Sequence, residues 1–194
     1  MSDSGLLLAA GAGRRMGGPK ALLRDPAGVP FLDRAVGTLL DGGCARVTVV
    51  LGAAAGDARA LLDEAGWTAD ECVDVVVADD WDEGMGASLR AGLGALVSGA
   101  AVRAVVSLVD LPDVDAAVVR RVREAPQEEG ALVRATYAGR PGHPVLLGRD
   151  HWSAVSRSAR GDQGARSYFA EHPPAACECG DLATGRDLDR PEDR

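Results

Sequence analysis

Apolar residues fall along this chain in two alternating rhythms. Short, mostly apolar runs occupy 6–10, 46–51, 73–78 and 104–109, and runs of that length rich in valine and leucine read as strands buried on both faces. Between them apolar residues recur every three or four positions: at 31–40, at 57–64, in a helix entered from the loop that begins at Asp79, and at 113–124, where Val114, Val118 and Val122 form one stripe. Gly42 and Gly43 stop the first of these helices. Beyond residue 130 the rhythm changes. Segments 132–137 and 144–147 flank Gly139-Arg140-Pro141-Gly142 as two strands around a turn, 150–158 and 163–172 read as short helices, and the tail from Cys177 is acidic and contains proline.

Strand alternating with helix predicts a parallel sheet with right-handed crossovers. The expected architecture is α/β: a single-domain, Rossmann-like three-layer fold over residues 1–194, with a mostly parallel sheet and a small late β element over the edge where such sheets hold ligands. A chain of 194 residues buries a real core. With 46% hydrophobic but only 4% aromatic residues, that core must be built from Ala, Val and Leu. A net charge of −8 argues against a nucleic-acid partner, because a polyanion is held by clustered positive charge. No apolar run reaches the roughly 18 residues of a membrane span, and Met1-Ser2-Asp3-Ser4 lacks a basic leader, so a cytoplasmic protein with no membrane partner is expected. Cys44, Cys72, Cys177 and Cys179 follow neither a disulfide framework nor paired metal-ligand spacing.

The first apolar run empties into Gly11-Ala12-Gly13-Arg14-Arg15-Met16-Gly17-Gly18-Pro19-Lys20. Gly11, Gly13, Gly17 and Gly18 can turn backbone N–H groups toward an anion, and Pro19 suits the first turn of a helix whose dipole would add to the cradle. Lys20 is the only lysine, against 20 arginines, and supplies a compact mobile charge beside that loop. A Walker loop is excluded because Pro19 interrupts the spacing and Ala21 stands where a metal-binding hydroxyl belongs. A dinucleotide fingerprint is weak, since Met16 replaces its third glycine and the second strand runs into Gly52-Ala53-Ala54-Ala55 without an acidic residue. Asp110, in Ser107-Leu108-Val109-Asp110-Leu111-Pro112, is a lone carboxylate at the end of an apolar strand. One carboxylate plus substrate phosphates is a usual way to hold magnesium.

The opening string resembles L-A-[AG]-G-x-x-x-R-M-G-x-x-K, the signature of nucleotidyltransferases that activate a phosphorylated acceptor with an NTP; here it reads Leu8-Ala9-Ala10-Gly11, Arg15-Met16-Gly17 and Lys20. The resemblance implies nucleotide contacts from Leu8, Ala9, Ala10, Gly11 and Gly13, with Arg15 and Lys20 as catalytic charges on the α-phosphate and the departing pyrophosphate. Segment 107–112 resembles the family's G-D-x-P, with Val109 in place of glycine, and makes Asp110 a ligand of Mg2+. The tail Asp187-Leu188-Asp189-Arg190-Pro191-Glu192-Asp193 resembles D-I-D-T-P-E-D, implying a second metal contact from Asp189 in preference to Asp187.

Trp81 to Leu93 resembles W-x-x-G-x-x-x-S-L-x-x-G-L, which lines the nucleotide pocket of molybdenum-cofactor cytidylyltransferases. Gly84 and Gly86 would leave room for base or ribose, and Ser88 would touch the nucleotide, cap the helix, or both. Gly142-His143-Pro144-Val145-Leu146-Leu147 and Gly161-Asp162-Gln163-Gly164-Ala165-Arg166 resemble G-x-P-V-L-F and G-D-x-G-A-R, so Gly142, His143, Pro144, Asp162 and Arg166 are expected on the pterin side. His143 need not act as a base, because the attacking group is an ionised phosphate. The implied reaction joins an NTP to molybdopterin, CTP being favoured by Ala10 where guanylyltransferases have glycine. A transient molybdenum hydroxylase recipient is implied as partner. A GTP-using enzyme and a non-catalytic carrier of the finished cofactor are the alternatives.

Overall fold

The computed structural model describes residues 2–124 and 128–188. A seven-stranded sheet runs in the order β3-β2-β1-β4-β6-β5-β7. Its parallel half comprises β1 (Ser2–Ala9), β2 (Arg46–Leu51), β3 (Val73–Val77) and β4 (Ala101–Leu108). The rest is β5 (Leu132–Tyr137), β6 (Arg140–Gly148) and β7 (Ala175–Glu178), with β6 antiparallel to both β4 and β5, and β7 parallel to β5. β6 pairs with β4 only through Val145, yet stays paired with β5 to Arg140. Its first residues therefore extend past the β4 ladder, and this is the expected late β element.

The period-two alternation of the strands sorts side chains onto two cores. Leu7, Val47, Val49 and Val105 face α1 (Phe31–Asp41), α2 (Ala55–Glu64) and α4 (Ala116–Arg123). Leu6, Leu8, Val50 and Val106 face α3 (Met85–Val97), α5 (Arg149–Ser158) and α6 (Arg166–Glu171). The α/β three-layer expectation holds. At Gly92 of α3 a Cβ would lie 2.4 Å from Leu6 Cδ1, so glycine there sets how closely that helix approaches the sheet.

Several boundaries differ from the sequence reading, each for a local reason. β1 begins at Ser2 rather than residue 6, because Asp3, only 3% exposed, is accepted into the sheet by ion pairing. α4 starts at residue 116, not 113, with Asp115 as its cap: its Oδ1 accepts from the Ala117 and Val118 N–H groups. Asp113 is used elsewhere, Oδ2 accepting from the Thr184 N–H and hydroxyl. The helix expected at 163–172 is shortened to α6, preceded by a 3-10 turn at Gly161–Gln163.

Asp3 pairs with the fully buried Arg103, Oδ1 accepting from Nε and Oδ2 from an Nη, each at 2.7 Å, and Arg123 Nε donates to Oδ2 at 2.8 Å. Burial alone would raise the Asp3 pKa, but hydrogen bonds and charge from Arg103 and Arg123 pull it below the usual carboxylate value. Asp3→Asn leaves a guanidinium buried without its counter-charge, and an expected loss of about 3 to 5 kcal/mol follows in urea denaturation at pH 7. Because the folded pKa lies below the unfolded one, this contribution is complete above about pH 4 and disappears as pH falls through the folded value. The gap between parent and variant should therefore narrow at acid pH; a gap independent of pH would show that the charge is not its source.

Candidate active site

β1 and β4 are adjacent and parallel, with Leu8 and Leu108 as Cα partners. The glycine loop and Asp110 thus leave the sheet side by side at its carboxyl edge, where open α/β sheets hold ligands. A cavity of about 480 Å³ opens there. It gathers Leu8, Ala9, Ala10, Gly11, Gly13, Arg15 and Lys20 from the first strand and loop, Gly84 and Ser88 from the entry to α3, and Asp110.

The loop is held by its own backbone. Gly13 C=O accepts from the Met16 N–H at 2.9 Å and the Gly18 N–H at 3.2 Å, so the Gly18 amide serves the loop and not an anion. Gly13 has φ +57°, and a Cβ on it would sit 1.9 Å from the Gly18 oxygen. Pro19 opens a 3-10 turn of three residues, Lys20–Leu22, in place of the expected helix. The anticipated helix dipole is therefore missing, and charge at this edge comes from side chains and loop amides.

Lys20 is no exposed loop lysine: its side chain is 18% exposed and Nζ donates to Asp110 Oδ2 at 2.6 Å. Burial pushes the Asp110 pKa up; the Lys20 ammonium opposes this, and the nearby Asp187 carboxylate adds to the rise. The segment after β7 comes back to the site, where the Leu188 N–H donates to the Asp110 carbonyl at 3.0 Å. Asp187 is thereby brought beside Asp110, whereas Asp189 lies outside the described residues. Among the described residues no cluster of three or more His, Cys, Asp or Glu side chains is placed to hold a metal. Two carboxylates beside a phosphate-sized space nevertheless fit a hard divalent cation that completes its shell with phosphate oxygens and water.

The glycines of the second loop have another purpose than the one expected. A Cβ on Gly84, at φ +112°, would lie 2.5 Å from Asp162 Oδ1, and one on Gly86 would lie 2.7 Å from the Arg160 nitrogen. Their bareness admits the backbone of residues 159–162 and not base or ribose. Arg90 ties the same junction, donating to Asp80, Glu83 and the Ala159 carbonyl. Ser88 makes no helix cap, since α3 is capped by Gly84 without a side-chain bond; it is buried in the cavity wall.

A second cavity of about 270 Å³ adjoins the first, sharing Leu8, Met85, Leu108 and Asp162. Of the residues expected on the pterin side, Gly142, His143, Asp162 and Arg166 line this one cavity, whereas Pro144 is buried away from its wall. His143 C=O accepts from the Tyr137 hydroxyl at 2.6 Å. Burial and then the charge of Arg134 push the His143 imidazole down to about 4, which leaves it neutral at pH 7 and a poor base. Arg134 and Phe169 also line this cavity and were missed from sequence. One arginine among 20 carries no motif, though alternation with Val133 and Ala135 does turn it to the α3 face of the sheet.

A family profile described as MobA-like NTP transferase domain matches residues 5–176. Nicotine blue oxidoreductase of Paenarthrobacter nicotinovorans is 36% identical over 199 residues, 97% of this chain and 93% of its own. The crystal structure of Rv0371c from Mycobacterium tuberculosis H37Rv superposes with a TM-score of 0.80 at 30% identity, covering 100% of this chain and 95% of that one. Rv0371c in complex with manganese gives 0.73 at 28% identity, over 97% and 94%. Since the profile runs from the first strand into the last, the chain belongs to the MobA-like NTP transferase family and is a nucleotidyltransferase.

Proposed function

We propose that this protein transfers a nucleotidyl group from an NTP, CTP in preference, to the terminal phosphate of molybdopterin. The observation that carries the reading is the meeting of two adjoining cavities, with Lys20 and Asp110 in the wall of the first and Asp187, beside Asp110, in the wall of the second. An NTP in the first cavity and a phosphorylated acceptor in the second would face each other there. A phosphate oxygen of the acceptor attacks the α-phosphorus in line, the bond to the bridging oxygen breaks, and pyrophosphate leaves with that electron pair. No proton must move, which agrees with a His143 too weakly basic to take one.

Loop amides and Arg15 hold the triphosphate, and Lys20 can turn from Asp110 to the phosphate oxygens as charge shifts to the leaving group. Asp110 and Asp187 would hold Mg2+, with Asp189 the further ligand that the family resemblance implies; the ion supplies charge neutralisation at the reacting phosphates. That Rv0371c has been crystallised with manganese supports a divalent ion in this role. Ala10 lines the first cavity, and the preference for CTP rests on its place in the opening motif, where guanylyltransferases have glycine. Among the described residues no helix is long and apolar enough to cross a membrane. We read the chain as one domain acting in the cytoplasm, with a molybdenum hydroxylase as recipient and no nucleic-acid partner.

A second reading rests on the name of the 36% identical relative: an oxidoreductase acting on nicotine blue. It would need an electron donor in the first cavity. Against a dinucleotide there, β2 ends in Leu51 followed by Gly52 and Ala53, with no carboxylate for a ribose.

The deciding experiment incubates purified protein with Mg2+ or Mn2+, each NTP and molybdopterin, and follows pyrophosphate. Metal-dependent release with CTP is expected, reduced in Lys20→Ala by roughly a hundredfold or more, about 3 to 4 kcal/mol of transition-state stabilisation. Release dominated by GTP would change the nucleotide. No release with any NTP, with molybdopterin still bound, would leave a carrier, and oxidation of NADH or NADPH in the presence of nicotine blue would favour the redox reading.

Gly13→Ala forces the loop open, because the position needs positive φ and the methyl meets the Gly18 oxygen. CTP affinity in calorimetry should drop at least tenfold with an unchanged circular dichroism spectrum; parent-like affinity would remove this loop from the triphosphate site.

Ala10→Gly should relax discrimination between CTP and GTP. A methyl-sized change is worth about 1 to 3 kcal/mol, so GTP use should rise roughly ten- to two-hundredfold while CTP use falls less. An unchanged ratio of the two kcat/KM values would move base selection away from Ala10.

A further inference from the structure

We infer that Asp113, Thr184 and Tyr137 position Asp187 for the divalent ion, acting through the path they impose on the segment after β7; this rests on reading Asp110 and Asp187 as carboxylates that hold the ion. Two carboxylates brought side by side repel each other, and the charge of Asp187 is felt at Asp110 in that sense. Asp187 is exposed and lies in a stretch, 183–188, that is neither helix nor strand. Something other than regular backbone pairing must therefore keep it beside Asp110.

Hydrogen bonds and one steric contact do so. The connection from β4 to α4 carries Asp110 and Asp113 together, and the segment is stitched to it at both residues. Asp113 Oδ2 accepts from the Thr184 N–H and hydroxyl, each at 2.6 Å, and the Leu188 N–H donates to the Asp110 carbonyl. Only Gly185, Arg186 and Asp187 lie between these stitches, so the loop that presents Asp110 also fixes Asp187. The steric contact is at Gly185, which has φ +62° and where a Cβ would lie 2.1 Å from Tyr137 Cε2. That ring is buried and its hydroxyl donates to the His143 carbonyl, so it cannot withdraw. Asp113 thus holds residue 184 while Tyr137 admits only bare backbone at 185. Groups that orient a metal ligand govern affinity for the ion without touching it.

Titration of Mn2+ into the intact protein, with the free ion followed by electron paramagnetic resonance, reads this apart from turnover. Asp187→Asn should weaken Mn2+ binding roughly tenfold or more. The exposed variant Thr184→Val, which takes one hydrogen bond from Asp113, should weaken it roughly fivefold, and Thr184→Ser, which keeps both donors, should stay within about twofold of the parent. Gly185→Ala, strained at positive φ and pressed on Tyr137, should lose at least as much as Thr184→Val. In an Asp187→Asn background Thr184→Val and Gly185→Ala should each add less than about twofold, an outcome that general loosening of the fold does not produce. Parent-like Mn2+ affinity in both variants, or an undiminished further loss in the Asp187→Asn background, would overturn the positioning role. No Mn2+ binding by the parent, or none lost in Asp187→Asn, would overturn it together with the reading of Asp187 as a metal carboxylate, so the two failures are told apart.

Discussion

The register of β1 on β4 is the constraint on which the rest depends. Ser4 to Leu8 pair in step with Ala104 to Leu108, and it is only by this pairing that a loop near residue 13 and a carboxylate at 110 come to share a wall. Slipping the pairing by one residue would send Leu6 and Leu8 to the opposite core and carry the site apart. At the other end of the same ladder, Asp3 and Arg103 are Cα partners as well as an ion pair. A charge buried at the amino edge thus specifies an alignment that matters at the carboxyl edge.

Most of the architecture was legible because apolar runs and helical stripes report burial directly. The glycine loop was legible for another reason: glycines at fixed spacing before a lone lysine announce a tight backbone turn at a strand end, and Gly13 closes that turn on Met16 and Gly18. What could not be read were partnerships between distant polar residues. Asp3 looks like part of a polar terminus until Arg103 meets it. Asp113 and Asp115 are equally good caps on paper; the pull of Thr184 on Asp113 settles which one serves α4. Gly84 and Gly86 were read as room for base or ribose, while the segment their missing Cβ atoms admit, residues 159–162, lies far along the chain and leaves no local signal. Arg134 was invisible because one arginine among 20 carries no motif, and its place in a cavity wall appears only in the folded chain.

Lys20 also sets the electrostatics of the carboxyl edge. Its ammonium lies against the carboxylate of Asp110 and opposes the rise in pKa that burial and the neighbouring Asp187 bring.

Gly84 and Gly86 have a consequence for how such a protein can change over time. The first cavity is lined by the glycine loop and the entry to α3, and the second sets the β5–β6 hairpin and the turn before α6 against residues of β1, β4 and α3. Because Gly84 and Gly86 let residues 159–162 come against the start of α3 at a distance that a Cβ would forbid, this spacing does not depend on which side chains line either cavity. Side chains of the hairpin can change while this joint keeps the two cavities at a fixed separation.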